Sequence, residues 1–156
     1  MKPFLLSTYD IQGGAARAAY RLHQGFRQIG VDSHLFTQYR TSDDPYVISG
    51  RTKLQKTIAF LRPGIDGLPL GLYRHRQRDR YSLQWLPDGT IQSLRKQTPD
   101  IINLHWTGSG FVNIATLPQL AKTLKVPLVL TLHDMWAFTG GCHYSDGCDR
   151  YRQSCG

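Results

Sequence analysis

The chain has 156 residues, with 19 Lys and Arg against 11 Asp and Glu, giving a formal charge of +8 with histidines neutral. Hydrophobic residues at 40% exclude a disordered chain, while 15 Gly, 8 Pro and no sustained heptads exclude collagen and coiled coil. No apolar run nears the roughly 20 residues of a membrane span, and no signal-peptide layout opens the chain, so one basic domain in the cytoplasm is expected.

Lys2 to Ser7 is a short apolar run ending in polar turn residues and reads as a first strand. Gly13-Gly14 then opens a periodic segment in which Ala15, Ala18, Ala19, Leu22, Phe26 and Ile29 share one helical face, with Arg17, Arg21, Gln24, Arg27 and Gln28 opposite. Gly30 stops this helix, and Val31 to Gln38 is rich in strand formers. Strand, helix and strand in that order predict a parallel sheet with a right-handed crossover.

Residues 46–98 read as an insertion of helices and loops. Lys53 to Leu61 fits a helix stopped by Pro63-Gly64, Leu70 to Tyr81 fits another, Pro87-Asp88-Gly89 is a turn, and Thr90 to Lys96 is helical. Regularity then returns. Asp100 to Leu104 is a buried strand ending at His105-Trp106, and Ile114, Leu117, Leu120, Ala121 and Leu124 give a helical face. Val126 to Leu132 is apolar on both faces, as a central parallel strand should be, and ends at His133-Asp134. The expected fold is α/β, a Rossmann-like parallel sheet with helices on both faces.

Two compositional features bear on partners. The run Arg74-His75-Arg76-Gln77-Arg78-Asp79-Arg80 is a dense basic segment, readable as a solvated helix face or as a surface for nucleic acid or anionic membrane. No nucleic-acid-binding signature accompanies it, which disfavours nucleic acid. Cys142, Cys148 and Cys155 fall in the last fifteen residues beside His143, so they are free thiols or part of a structural zinc site. Their spacing lacks the CxxC knuckle.

In an open parallel sheet, ligands bind beyond the carboxyl ends of the strands. Three polar clusters occupy such ends: Asp10 to Gly14, Asn103 to Trp106, and His133-Asp134. Gly13 and Gly14 leave a helix N-terminus open to a phosphate or diphosphate, although a plain strand–helix turn has the same residues. Neither the P-loop pattern nor a placed G-x-G-x-x-G is present, which disfavours nucleotide hydrolysis and nicotinamide chemistry. His105 and His133 are candidate proton carriers or sugar-binding donors. Trp106, Trp136 and Tyr144 offer flat faces of the kind that stack on sugar rings.

These strings carry a resemblance. Asp10-Ile11-Gln12-Gly13-Gly14-Ala15-Ala16-Arg17-Ala18-Ala19, Pro99 to Trp106, and Thr131 to Tyr144 together resemble the N-terminal domain of family 4 GT-B glycosyltransferases of the exopolysaccharide and colanic-acid type. The resemblance implies a retaining transferase with no divalent metal, using a nucleotide-diphosphate sugar as donor and a glycan or lipid-linked acceptor. It implies donor diphosphate contacts at Gly13 and Gly14, catalytic roles at His133 and Asp134, and acceptor contacts at His105, Trp106, Trp136 and Tyr144. It implies that Cys142, Cys148 and Cys155 belong to a set of four ligands or pairing partners. Residues 1–156 would then be one acceptor-side domain, an incomplete half of the GT-B fold without the C-terminal donor domain. The expectation is a chain inactive alone unless a separate chain supplies that lobe, held peripherally at the inner membrane face. The competing expectation is a noncatalytic remnant that binds sugar or membrane.

Overall fold

The computed structural model describes residues 1–50, 52–72 and 81–154. Strands β1 (Pro3–Tyr9), β2 (His34–Tyr39), β3 (Val47–Ile48), β4 (Ile101–Leu104) and β5 (Leu128–Leu130) form one sheet in the order β3-β2-β1-β4-β5. Every pairing is parallel, with Leu6 of β1 opposite Phe36 of β2 and Leu104 of β4. The helices are α1 (Gly14–Gln28), α2 (Lys53–Gly67), α3 (Thr90–Arg95) and α4 (Thr116–Leu124).

Strand alternation divides the core in two. Phe4 and Leu6 join Ile102, Leu104, Leu94, Val112 and Leu120 on the face covered by α3 and α4, whereas Leu5 joins Leu35, Val47 and Ala19 on the face covered by α1. Helices therefore lie on both faces of a parallel sheet, the Rossmann-like α/β arrangement expected from the strand–helix alternation. Part of the segment read as an insertion belongs to this body: β3 pairs with β2 as the edge strand among the described residues, and Leu94 of α3 is fully buried.

Four details differ from the expectations. The buried face of α1 carries Ala16, Ala19 and His23, while Leu22 is half-exposed and Ile29 exposed. The helix turns His23 inward, where its Nδ1 meets Ser33 Oγ at 2.9 Å and its Nε2 faces Asp44 Oδ2 at 3.5 Å. Second, β2 begins at His34 and not Val31. Gly30 (φ 78°) closes α1, with Val31 N–H donating to Phe26 C=O and Gly30 N–H to Arg27 C=O, so Val31 belongs to the cap.

Third, α2 runs through Pro63 to Gly67 instead of stopping there. An interior proline costs about 3 kcal/mol. Tertiary contacts on either side of it offset that cost: Arg62 donates to the carbonyls of Gly110 (2.5 Å) and Pro87 (2.9 Å), and Trp85 Nε1 donates to Asp66 C=O. Leu68–Leu72 forms a 3-10 turn and Tyr81 makes an isolated antiparallel bridge to Cys142, so neither end of the expected Leu70 to Tyr81 helix is α-helical, and residues 73–80, with the basic run, lie outside the described residues. Fourth, β5 is an edge strand among the described residues and not a central one, which leaves Val129 and Leu130 almost half exposed.

Candidate functional site

The carboxyl ends of β1, β4 and β5 lie side by side, so the loops that follow them meet above one sheet edge. The loop after β1 ends at Gly13, whose φ of 90° and ψ of 170° fall in a region open in practice only to glycine. The next residue starts the 15-residue α1, which has no side-chain cap and no acidic residue in its first turn. Its first N–H groups therefore lack an intrahelical or capping partner, and they carry the positive end of the helix dipole. A Cβ at Gly13 or Gly14 would meet nothing within 4 Å, so the backbone is open to an incoming group.

Asp10 holds this loop from below. It is fully buried and accepts the N–H groups of Ile11 (2.9 Å), Thr41 (2.9 Å) and Ser42 (2.7 Å) and the Thr41 hydroxyl (3.0 Å). Burial alone would push its carboxyl up, but the hydrogen bonds from Ser42 and Thr41 outweigh it and hold the group below its usual range. The glycine loop is thus fixed by an ionised carboxylate whose acceptor capacity is already used.

The opposite wall is built from interlocked side chains. His105 Nδ1 and His133 Nε2 are 2.8 Å apart, with their rings stacked at 5.1 Å. Burial, aided by the neighbouring His133, pushes the His105 imidazole down to about 4. Burial also lowers His133, opposed by Asp134. Both rings are then neutral at pH 7 and share one N–H. His105 Nε2 is buried with no partner, and a lone pair is less costly there than an orphaned N–H. This assigns the shared proton to His105 Nδ1, so His133 accepts at Nε2 and presents Nδ1–H as a donor.

Asp134 ties the rest together. Its Oδ2 accepts Trp106 Nε1–H (2.9 Å) and His143 Nδ1–H (2.5 Å), and its Oδ1 accepts the Trp136 N–H (2.9 Å). His143 Nε2 in turn meets Ser82 Oγ at 2.9 Å. Serine, histidine and aspartate follow one another in relay order here, yet Ser82 and His143 are both buried, so no substrate carbonyl can approach the serine. The relay positions Trp106 and Asp134.

Between the two walls lies a cavity of about 410 Å³, whose lining includes Gly13, Gly14, Trp106, His133, Asp134 and Tyr144, together with Tyr9, Gln12 and His143. Open helix amides stand on one side, and a histidine donor with two aromatic rings stands on the other. That arrangement suits a ligand joining an anionic group to a polar, ring-shaped one.

Comparison with known proteins bears on the same residues. The family model for Glycosyltransferase Family 4 matches residues 12–153. The chain belongs to glycosyltransferase family 4. Among curated proteins, WcaC of Escherichia coli (strain K12), by name a colanic acid biosynthesis glycosyl transferase, is 27% identical over 154 residues. That alignment covers 92% of this chain and 36% of WcaC, so the chain spans about a third of its relative's length. No solved structure matches the chain.

In this family 4 chain, the residues read from the strand ends divide into two sets. Gly13, Gly14, Trp106, His133, Asp134 and Tyr144 line the cavity. His105 and Trp136 sit behind it, His105 against His133 and Trp136 donating its Nε1–H to Ser82 C=O at 2.8 Å. His143 joins the site although strand-end reasoning did not select it; its signal was its place in the same string as His133, ten residues on. Tyr9 and Gln12 were likewise visible only as neighbours of the glycines. Cys142 is half-buried and Cys148 exposed, and Cys155 lies outside the described residues. Among the described residues no three His, Cys, Asp or Glu side chains are placed to hold a metal ion, so a zinc set drawn from these cysteines lies partly beyond what the structure describes.

Proposed function

We propose that this chain is the acceptor-side lobe of a retaining glycosyltransferase that moves a sugar from a nucleotide-diphosphate donor onto a glycan or lipid-linked acceptor in surface polysaccharide synthesis. The observation that carries the reading is the cavity in which uncapped helix amides at Gly13-Gly14 face His133 and Trp106. Departure of a nucleoside diphosphate develops negative charge, and a helix N-terminus stabilises such charge without reorganising. His133, neutral and donating through Nδ1–H, holds a sugar or acceptor oxygen. Asp134, its oxygens already accepting three internal bonds, acts as a positioning residue for Trp106 and the loop. The glycosyl bond breaks to the diphosphate oxygen, and a new one forms to an acceptor hydroxyl whose proton passes to the departing diphosphate.

The donor side of the cleft is proposed to come from polypeptide outside these 156 residues, because the family 4 relative is nearly three times as long as the aligned region. Work in the cytoplasm at an anionic membrane surface fits the charge of +8 and a lipid-linked acceptor. Complementing the chain with a donor lobe from a family 4 relative and following labelled sugar into acceptor tests this reading. Transfer should appear, and His133→Ala should lower it by roughly a hundredfold or more, within the usual range for a general acid–base or oxyanion group. Unchanged transfer in His133→Ala would remove this residue from the chemistry.

A further inference from the structure

Helix α2 presents its sides in an inverted order. Ala59, Arg62 and Asp66, at spacings of three and four, turn toward the body, where Arg62 is clamped to the carbonyls of Gly110 and Pro87 and Asp66 is buried. Leu54, Ile58, Leu61 and Ile65, at i, i+4, i+7 and i+11, form an apolar stripe facing outward, and Leu68 extends it. Leu54 is 70% exposed, and Phe60, beside the stripe, is 76% exposed. An amphipathic helix normally buries its apolar side, so this stripe is built to meet something other than water.

Three observations say what covers it. The exposed charges on α2 are Lys53 and Lys56, since its one carboxylate, Asp66, is buried. Residues 51–80 hold eight Lys or Arg against two Asp, so +6 of the chain's +8 falls in the stretch of sequence that contains this helix. At 15 residues α2 is shorter than a membrane span, and an apolar, basic helix of that length is suited to lying in the interface plane. The helix is also preformed. Thr52 and Gln55 make a reciprocal capping box at its start, and Arg62 anchors its middle.

We propose that α2 is the docking element of this protein on an anionic bilayer, its apolar stripe seated among the acyl chains and its lysines at the headgroups. This rests on the membrane attachment proposed above and assigns it to one surface. The placement has a consequence for the acceptor. Lys56, Ala59 and Phe60 of α2 line a second cavity, of about 680 Å³, whose other wall includes Tyr9 and Tyr39 at the ends of β1 and β2. Tyr9 and Gln12 line this cavity and the glycine-loop cavity alike. A lipid-linked acceptor held in the bilayer would reach the strand ends along α2.

Flotation of the 156-residue chain with phosphatidylglycerol-containing vesicles and with pure phosphatidylcholine vesicles tests this. The triple variant Leu54→Gln, Ile58→Gln, Leu61→Gln alters exposed positions only and keeps helix-forming residues, so circular dichroism should be unchanged. The wild type should float with the anionic vesicles, and the variant should lose that binding by on the order of tenfold or more. Lys53→Gln with Lys56→Gln should lower it by several fold at low salt and change little at high salt. Equal flotation of wild type and triple variant would overturn the assignment to α2 while leaving membrane attachment elsewhere intact. No flotation of the wild type would overturn both, without touching the transferase reading. Wild-type dimers that the triple variant dissolves, in the absence of flotation, would give the stripe to a second copy of this chain.

Discussion

The two walls of the glycine-loop cavity solve the same problem by opposite means. The α1 wall works through backbone and emptiness: Gly13 in a glycine-only conformation, uncapped amides, and open space where side chains would stand. The β4–β5 wall works through occupancy, with His105, His133, Trp106, Asp134, His143 and Ser82 each fixed by a neighbour. The difference teaches where each wall is fragile. A network fails when a partner is removed, whereas an open backbone fails when something is added.

Removing a partner should give the largest effect. Asp134→Ala leaves the buried His143 Nδ1–H and the Trp106 Nε1–H without their acceptor, and should cost about 3 kcal/mol in urea unfolding. A loss below about 0.5 kcal/mol, the scatter of ordinary surface substitutions, would mean that the network does not hold the wall.

Titration breaks the same wall more gently. The His105 imidazole lies near 4 when folded and near 6.5 when unfolded, so its contribution is fully present above pH 6.5. As pH falls from 6.5 toward 4 the unfolded chain binds the extra proton, and on the order of 2 kcal/mol of stability is lost. His105→Gln should flatten that part of the stability–pH curve. An unchanged slope in the variant would place the titration elsewhere.

Additions test the α1 wall with a matched pair. Gly13→Ala must adopt the positive φ and should destabilise by roughly 1–3 kcal/mol, although no atom lies in its way. Gly14→Ala, without that constraint, should be neutral or stabilise by up to about 1 kcal/mol. Equal effects at the two positions would show that conformation does not set the loop.

Much of this was legible in the residues. Leu5 and Leu6, Ile102 and Leu104 announce strands because they lie at the sheet centre, where both faces are buried, and Gly13-Gly14 announces the helix start through its lack of side chains. Other features depended on partners distant in the chain. On α1 the inward His23 meets Ser33 and Asp44, and the extension of α2 past Pro63 follows from Arg62 reaching Gly110 and Pro87. The apolarity of Val129 and Leu130 suggested a central strand, yet β5 is an edge among the described residues. Asp134 read as a candidate for chemistry because it follows His133, but only the folded arrangement shows its oxygens committed to Trp106, His143 and Trp136. His143 was visible only through its place in the same string as His133 and beside the cysteines, and its link to Ser82 spans 61 residues.

The central claim is that the α1 amides facing His133 receive the diphosphate of a sugar donor. Titrating the ¹⁵N-labelled chain with inorganic pyrophosphate and following backbone amide shifts tests it most directly, because no base, sugar or second lobe is needed. The account predicts saturable shifts centred on Gly14, Ala15 and Ala16 that disappear in Gly13→Val, in which a β-branched side chain cannot hold the loop. Shifts confined to the lysines and arginines of α2 and its surroundings, or none at the α1 amides at millimolar pyrophosphate, would contradict it.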